Sequence, residues 1–435
     1  MVWLDKFKLN KGLARTITEA GYLSPKEIQQ KTLSRIIGGQ DVIAIAPEGA
    51  GKTSTYIITV LNRIRQGFDD APRVLVLVPD KEKVFSVIEQ FDALNKNKSV
   101  KIVGLYVAPG IEAQMDALAD GADIVVATPD RARAIYLKLG LNLNKIDLFI
   151  VDDAELIVKQ GMQLQVAELA NSITKCQHLV FTEVLHDKLE KMIAPFMKQP
   201  AIIEVEELND TPLDTYQQIL YNLPNFRTKL NLLNLFMQDD ELFTKVVVFV
   251  NTRITANTVY KNLKPQLRDS VVILNPMFSE DKGISDINIF KSDDKLRVLV
   301  IANENTEDVD ISKIPFFIHL DLPEEKELFV NRVIKKTGEE DTLAITFATD
   351  IELVQVKKIE QVIGRKMALS ELPDDLIIDK ERKDKEESVE KKPAKADKNA
   401  PVAGEAFHEK KAANAKTYNY SSGTKAKMNN KRKHS

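Results

Sequence analysis

The stretch that most constrains the fold of this chain is a short apolar run that breaks into a glycine-bearing turn. Residues 42–46 read Val-Ile-Ala-Ile-Ala, and residues 47–53 continue as Pro-Glu-Gly-Ala-Gly-Lys-Thr. The apolar run suits a buried parallel strand. Residues 54–61 can continue as a helix whose N-terminus faces an anion held by the turn. The alternative is an ordinary surface turn between a strand and a helix.

The residue types in this turn favour a nucleotide. Gly49 and Gly51 let backbone N–H groups close on phosphate oxygens. Lys52 can reach the β/γ-phosphates, and the Thr53 hydroxyl can ligate Mg²⁺. The first glycine of the usual eight-residue pattern is replaced by Ala46. The predicted nucleotide contacts are Ala46, Pro47, Glu48, Gly49, Ala50, Gly51, Lys52 and Thr53.

Length and composition indicate a multi-domain protein of the cytoplasm. At about 150 residues per domain, 435 residues are enough for two or three domains. No apolar run approaches the ~18 residues of a membrane span, and residues 1–7 do not read as a secretion signal. Cys176 is the only cysteine, which excludes an intramolecular disulfide and a cysteine-rich metal site. The scattered histidines, such as His319 and His408, show no metal-ligand spacing and are interpreted as packing or surface residues.

The net charge of −3 hides a strong asymmetry along the chain. Residues 391–435 hold 12 Lys/Arg and 3 Asp/Glu, which leaves 49 Lys/Arg and 61 Asp/Glu in residues 1–390. A lysine-rich segment with few apolar residues cannot bury enough surface to offset its ordering entropy, so we predict that it is disordered. Tyr418 and Tyr420 among the lysines favour RNA binding by this tail over a purely solubilising role.

Short Val/Ile/Leu runs alternate with longer helical patterns, which is typical of βαβ units and a parallel sheet. The predicted strands of the first part are residues 42–46, 74–78, 102–106, 124–127, 148–151 and 178–181. After a polar stretch, the predicted strands are residues 245–250, 271–273, 296–301, 316–319 and 342–347. The predicted fold class is α/β, with two tandem parallel-sheet domains at residues 1–205 and 214–379, a linker at 206–213 and a charged tail at 380–435.

The segment Gly21-Tyr22-Leu23-Ser24-Pro25-Lys26-Glu27-Ile28-Gln29, some twenty residues before the glycine-bearing turn, resembles the Q motif of DEAD-box RNA helicases. The resemblance covers roughly residues 3–370 and implies two RecA-like domains that close on ATP and single-stranded RNA. It implies that Gln29 reads the adenine edge through its amide, with Tyr22 at the same nucleotide. Trp3 and Phe7 lie upstream, but neither has the usual spacing of the aromatic residue that stacks on the base.

The acidic motif departs from the family pattern. Asp-Glu-Ala-Asp is replaced by Asp152-Asp153-Ala154-Glu155 after the strand predicted at residues 148–151. The resemblance implies that Asp152 holds Mg²⁺ together with Thr53. Asp153 stands in for the catalytic glutamate that positions the attacking water, and its side chain is one methylene shorter. A displacement of about 1 Å at such a group can cost ~10²-fold in rate, so Asp153 is a weak substitute.

The RNA-contacting motifs are only partly kept. Asp80 and Asp130 put negative charge next to positions that face a polyanion in the family, which should weaken RNA binding. The positions at which the resemblance still implies RNA contacts are Lys81, Gln114, Thr128, Arg131, Thr252 and Arg253.

The second domain has lost most of the family's catalytic residues. In the motif at residues 301–310, only Asp310 survives as an implied nucleotide contact. The arginine-finger motif is replaced at residues 331–339, where Lys335 or Lys336 can supply only a point charge. Losing an arginine finger costs about 10³–10⁵ in rate.

The motif residues that are kept and those that are replaced together indicate a function. Nucleotide-binding residues are kept, whereas those that hydrolyse ATP or couple it to RNA are replaced. We therefore predict an ATP- and RNA-binding protein with weakened or lost ATPase and unwinding. The alternative is a working ATP-dependent RNA helicase in RNA remodelling or ribosome assembly, with ribosomal or other RNA–protein complexes as partners. An unrelated P-loop kinase or GTPase would explain neither Gln29 nor the second domain, and the sequence is silent on oligomeric state.

Overall fold

The computed structural model describes residues 6–7, 9–64, 71–108, 110–206, 208, 211–278, 281–304, 309–335 and 342–379. The tail predicted at residues 380–435 lies outside this part of the chain, as do Trp3 and Lys336. Two parallel sheets form within the described residues. We call the part that carries the first sheet, residues 6–206, the N-terminal lobe, and the part that carries the second sheet, residues 211–379, the C-terminal lobe.

The N-terminal lobe contains seven strands within its described residues. They are β1 (Val42–Ile45), β2 (Val74–Leu77), β3 (Ile102–Leu105), β4 (Ile124–Ala127), β5 (Leu148–Val151), β6 (Gln177–Thr182) and β7 (Ala201–Glu204). The order across the sheet is β3-β4-β2-β5-β6-β1-β7, and every pairing is parallel. This order brings the ends of β1, β2 and β5 close together at one edge, where loop residues gather.

Helices connect these strands and cover both faces of the sheet. They are α1 (Lys11–Glu19), α2 (Glu27–Ile37), α3 (Lys52–Arg63), α4 (Lys81–Leu94), α5 (Ile111–Ala119), α6 (Pro129–Leu137), α7 (Ala154–Lys159), α8 (Gln163–Ser172) and α9 (Asp187–Ile193). Val42 and Ala44 belong to one hydrophobic core with Tyr56, whereas Ile43 and Ile45 belong to a second core on the other face. Burial on both faces explains why the strands read as continuous apolar runs.

The C-terminal lobe repeats this architecture. Its strands in the described residues are β8 (Gln217–Asn222), β9 (Val246–Val250), β10 (Val271–Leu274), β11 (Gly283–Ile284), β12 (Val298–Ala302), β13 (Phe316–His319), β14 (Leu343–Ala348) and β15 (Ala368–Leu369). The order across the sheet is β11-β10-β12-β9-β13-β14-β8-β15, again all parallel. The helices are α10 (Phe226–Phe236), α11 (Arg253–Leu267), α12 (Ile287–Ser292), α13 (Lys326–Val333) and α14 (Leu353–Ile363), with a 3₁₀ turn at Arg268–Ser270.

The α/β class with two parallel sheets is confirmed, and each predicted apolar run coincides with a strand. Four strands were not predicted, namely β7, β8, β11 and β15. β7 lies at a sheet edge and has only one fully buried residue, and β8 is half-exposed. Strands near an edge need no continuous apolar run, so the sequence gives little sign of them. Within the described residues, no helix combines the length and the apolar character needed to cross a membrane.

Candidate functional site

The phosphate loop joins the end of β1 to the start of α3. Gly49 and Gly51 have φ angles of 81° and 95°, which L side chains rarely adopt. Gly51 is also enclosed, because a Cβ there would lie 3.1 Å from Lys26 Cδ and 3.5 Å from Gln29 Nε2. The shape of the loop therefore depends on glycine at both positions, and α3 begins immediately after it at Lys52.

The Lys52 side chain folds back onto this loop. Its Nζ donates to the carbonyl oxygens of Ala46 at 2.8 Å and Pro47 at 3.3 Å, and lies 3.7 Å from Glu183 Oε1. The side chain is only 6% exposed. Lys26 also reaches the loop, where its Nζ donates to the carbonyl oxygen of Gly49. Two cations are thus held at the loop by acceptors that phosphate oxygens can replace.

A cleft of about 390 Å³ lies over the loop, within the size range of small-molecule sites. Six of the predicted nucleotide contacts line it: Tyr22, Glu48, Gly49, Gly51, Lys52 and Thr53. Ala46, Pro47 and Ala50 belong to the loop beneath. Four lysines line the same cleft, Lys26, Lys52, Lys83 and Lys358, and they can contact a polyanionic ligand. Four acidic side chains, Glu48, Asp153, Glu155 and Glu183, line it as well.

Gln29 lies behind the loop and is 1% exposed. Its Nε2 donates to Ser54 Oγ at 3.0 Å, and its Oε1 accepts from the Lys26 backbone N–H at 3.0 Å. The amide therefore orders the start of α2 against α3 in this structure. Tyr22 is half-buried and lines the cleft, whereas Phe7 packs against the apolar core. Of Tyr22 and Phe7, Tyr22 is the one that lines the cleft, and Trp3 lies outside the described residues.

The acidic motif lies where β5 ends, next to the phosphate loop. Asp152 is fully buried, and its Oδ2 accepts from Thr53 Oγ1 at 3.1 Å and from Tyr56 Oη at 2.9 Å. Asp153 has a left-handed φ of 49°, which turns its carboxylate towards Lys83. Lys83 Nζ lies 2.5 Å from Asp153 Oδ2 and 3.5 Å from Asp152 Oδ2. The predicted metal ligands and catalytic carboxylate are therefore together, with a lysine between them.

The sequence did not point to Lys83 or Tyr56. Burial alone would lower the pKa of Lys83, but the carboxylates of Asp152 and Asp153 raise it to about 12, so it is a cation at neutral pH. Burial raises the pKa of Asp152, and the neighbouring Asp153 raises it further, while Lys83 acts in the opposite direction. Burial and Asp152 likewise raise the pKa of Tyr56 well above its ordinary value, so its hydroxyl stays a donor.

The last residue of the acidic motif bonds to β6. Glu155 Oε2 accepts from Thr182 Oγ1 at 2.6 Å and from the Glu183 backbone N–H at 3.2 Å. Burial raises the pKa of Glu155 to about 7. Because Glu183 also contacts Lys52, this bond ties the acidic turn to the lysine of the phosphate loop through the end of β6.

The N-terminal lobe brings three of its four predicted RNA residues into one patch. Gln114 Nε2 donates to the carbonyl oxygen of Tyr106 at 3.0 Å, and its Oε1 accepts from Arg131 Nε at 2.7 Å. Lys81 Nζ lies 5.6 Å from the ring centroids of both Phe85 and Tyr106, and these rings meet edge to face at 4.9 Å. Phe85 is 41% exposed. The sequence did not single out this aromatic pair.

The three other predicted RNA contacts are either buried or bonded within the protein. Thr128 is 7% exposed and its Oγ1 has no hydrogen-bond partner in the described structure. Thr252 Oγ1 accepts from the Thr255 backbone N–H at 3.1 Å and caps α11. Arg253 Nη2 donates to the carbonyl oxygens of Asn275 at 3.1 Å and Pro276 at 2.9 Å.

Lys335 and Asp310, two of the residues predicted for the nucleotide site in the second domain, do not line the cleft. The Lys335 backbone N–H donates to the carbonyl oxygen of Asp214 at 3.0 Å, and Lys336 is outside the described residues. Asp310 Oδ2 accepts from Lys291 Nζ at 3.0 Å and does not line the cleft. Lys358 on α14 instead lies 3.5 Å from Glu48 Oε2 and 4.0 Å from Glu183 Oε2. Lys358 is thus a lysine of the C-terminal lobe that the structure places at the phosphate loop.

Comparison with known proteins agrees with this arrangement of motifs. Residues 26–192 match the family model of the DEAD/DEAH box helicases. The ATP-dependent RNA helicase eIF4A of Kluyveromyces lactis is 26% identical over 374 residues, which cover 85% of this chain and 92% of that protein. The chain is therefore similar to the DEAD-box helicases, in the region of the family model and along most of the length of this relative. Proteins of this family use ATP and bind RNA.

Solved DEAD-box structures are more distant in sequence. A DEAD box protein from the hyperthermophile Methanococcus jannaschii is 20% identical, with a TM-score of 0.46 over 84% of this chain and 98% of that chain. S. cerevisiae Dbp5 bound to RNA and ADP BeF3 is 19% identical, with a TM-score of 0.44 over 84% and 95% of the two chains.

Proposed function

We propose that this protein binds ATP or ADP at its phosphate loop and binds single-stranded RNA, and that it hydrolyses ATP slowly or not at all. The observation that carries the proposal is the ion pair between Asp153 and Lys83, whose charged atoms lie 2.5 Å apart. Asp153 stands where the family has the glutamate that positions the attacking water. We infer a nucleotide-dependent RNA-binding protein of the cytoplasm rather than an efficient helicase.

Nucleotide binding is supported by the kept phosphate loop. Two glycines hold its backbone in left-handed conformations, and Lys52 contacts acceptors that phosphate oxygens can replace. Lys26, Lys83 and Lys358 add positive charge to the same cleft. Backbone N–H groups at the start of a helix, combined with these cations, form a site suited to nucleotide phosphates.

Slow hydrolysis follows from the state of the carboxylate. A general base contributes typically 10²–10⁴-fold to rate, and it must be free to accept a proton from water. The Asp153 carboxylate is bound by an ammonium group and is one methylene shorter than glutamate, so it is poorly suited to this role. Lys358 offers a point charge from the C-terminal lobe, but lysine lacks the planar fork of an arginine finger.

RNA binding is supported by the surface patch of the N-terminal lobe. Lys81 and Arg131 supply positive charge, and the exposed ring of Phe85 beside Tyr106 offers a face on which a base can stack. Phosphate contacts and stacking do not require a particular sequence, so we expect sequence-tolerant binding. RNA–protein complexes are the partners we propose.

A working ATP-dependent helicase in RNA remodelling or ribosome assembly is the second candidate. The Glu155–Thr182 bond favours it, because it keeps the acidic turn joined to the strand that holds Glu183 near Lys52. Such a hydrogen-bonded connection could transmit the state of the nucleotide to the rest of the site. The two candidates differ in whether RNA accelerates ATP turnover.

Phosphate release from ATP, measured with and without single-stranded RNA, distinguishes the candidates. We expect the purified protein to bind nucleotide and to show little RNA-stimulated release. Lys52→Ala is the control, because it removes the loop cation and should abolish any release that belongs to this site. Strong stimulation by RNA that disappears in Lys52→Ala would overturn the proposal and establish the helicase.

A further inference from the structure

Lys83 lies in the cleft beside two carboxylates of the acidic motif. Its Nζ is 2.5 Å from Asp153 Oδ2 and 3.5 Å from Asp152 Oδ2. Asp152 is fully buried, whereas the Lys83 side chain is 24% exposed and lines the cleft. An ammonium group has three donors, so the two carboxylates do not exhaust its hydrogen-bonding capacity.

Helix α4 brings Lys83 to this position. The Asp80 side chain accepts from the Lys83 backbone N–H at 2.7 Å and caps the helix, which sets the direction of its first turn. β2 pairs with β5, so the segment after β2 lies beside the acidic motif after β5. The juxtaposition is therefore built into the sheet order and the helix cap.

The DEAD-box family generally uses Mg²⁺ with ATP, and the donor types of Thr53 and Asp152 suit it, because Mg²⁺ prefers oxygen ligands. The arrangement of these groups, however, does not suit Mg²⁺. Asp152 Oδ2 already accepts from Thr53 and from Tyr56, and its Oδ1 accepts from the Asp153 backbone N–H at 3.2 Å. A divalent cation bound directly here would also lie within a few ångströms of the Lys83 ammonium and be repelled by it. As arranged, the site does not fit a resident Mg²⁺.

We propose that Lys83 is a built-in counter-cation that replaces the divalent metal in nucleotide binding. Its charge offsets part of the negative charge of the acidic pair, and its exposed side contacts the phosphates of a nucleoside di- or triphosphate directly. The consequence is that this protein binds metal-free nucleotide about as well as the Mg²⁺ complex. This inference rests on the proposed nucleotide binding.

The charges around the cleft explain why such a cation is needed. Without Lys83, the Asp153 carboxylate in the cleft and the buried Asp152 carboxylate behind it would repel the incoming phosphates, with Lys52 and Lys26 as the loop cations. Like charges at such short range repel strongly where water is partly excluded. A divalent metal relieves this repulsion in a site of this kind, and a lysine fixed between the two carboxylates has the same effect without dissociating.

Binding of a fluorescent ADP or ATP analogue to the full-length protein tests the proposal. Titrations are carried out in excess Mg²⁺ and in EDTA, for the wild type and Lys83→Met. We expect the wild-type affinities in the two buffers to agree within about threefold. In EDTA, Lys83→Met should bind about tenfold or more weakly than wild type, because a charge-assisted contact is lost, and Mg²⁺ should restore its binding.

Matched variants separate the role of the charge from other effects of substitution. Lys83→Arg keeps the charge and should keep metal-free binding, whereas Lys83→Gln is a second neutral variant and should behave like Lys83→Met. Lys96→Met makes the same change at an exposed lysine just after α4 and should match wild type. Circular dichroism melting verifies that each variant is folded.

Two results would overturn the role of Lys83. The first is wild-type binding that disappears in EDTA, and the second is neutral variants that bind metal-free nucleotide as well as wild type. Absence of nucleotide binding in both buffers would instead refute the proposed function, and the inference with it. Metal-free binding that depends on the charge at position 83 supports the proposal.

Discussion

The buried carboxyl group of Glu155 links the acidic turn to β6 through Thr182. Its pKa of about 7 results mainly from burial, because desolvation penalises the charged form. The group is therefore near half-protonation at neutral pH. A protonated Glu155 carries no charge next to Asp153, so the protonation state of a single side chain changes the electrostatics of the whole acidic turn.

Glu155 should make the stability of the protein depend on pH. Its pKa is about 7 in the folded protein and about 4.5 when unfolded, so the folded state binds more protons in this window and loses stability as pH rises through it. We expect the free energy of unfolding of the wild type to fall by on the order of 3 kcal/mol as pH rises through this window, and we expect Glu155→Gln to abolish this fall. Urea denaturation at a series of pH values measures it.

The control for this experiment is Glu89→Gln, which neutralises an exposed glutamate on α4. It should keep the pH dependence of the wild type. Parallel stability curves for the wild type and Glu155→Gln between pH 4.5 and 7 would show that Glu155 does not titrate in this range.

Helix α4 illustrates how one element serves both fold and site. Its cap residue Asp80 was expected from the sequence to repel RNA, and in the structure it accepts from the Lys83 backbone N–H at the start of the helix. The same helix carries Lys81 and Phe85 towards the surface patch and Lys83 into the cleft. Its N-terminal turn thus connects the candidate RNA surface with the nucleotide site.

Removal of the Asp80 cap should destabilise the protein. Asp80→Ala leaves the backbone N–H of Lys83 without its side-chain acceptor, and loss of such a cap costs about 1 kcal/mol. Asp80→Asn keeps an acceptor and should stay within a few tenths of a kcal/mol of wild type. The free energy of unfolding in urea measures both. Equal destabilisation by the two variants would indicate that the charge of Asp80, and not its cap, stabilises α4.

Charge is unevenly divided over the whole molecule. Residues 1–390 are strongly acidic, whereas residues 391–435 hold 12 of the 61 Lys/Arg and only 3 of the 64 Asp/Glu. Cations that neutralise RNA phosphates release counterions, which makes binding weaken as salt rises. The surface patch at Lys81 and Arg131 supplies only a few of the cations that such binding uses. We therefore expect the tail to account for much of the electrostatic RNA affinity.

Deleting residues 391–435 tests the contribution of the tail. The shortened protein should bind single-stranded RNA more weakly, and the slope of log affinity against log salt should become shallower by about 0.7 for each lost phosphate contact. Fluorescence anisotropy with labelled RNA at several salt concentrations measures both quantities. Nucleotide affinity should not change and serves as the control. A salt slope equal to that of the full chain would exclude the tail as an RNA contact.

Local composition is enough to predict the α/β class, the position of the phosphate loop and the acidic motif, because buried parallel strands and glycine-bearing turns have characteristic residue patterns. Which side chains meet depends instead on how the strands and helices pack in three dimensions. Strand order places β2 beside β5 and so brings Lys83 against Asp152 and Asp153, which are about seventy residues away in the chain. Packing of α14 similarly brings Lys358 to Glu48. Such contacts depend on long-range pairing and burial, which no local pattern of residues encodes.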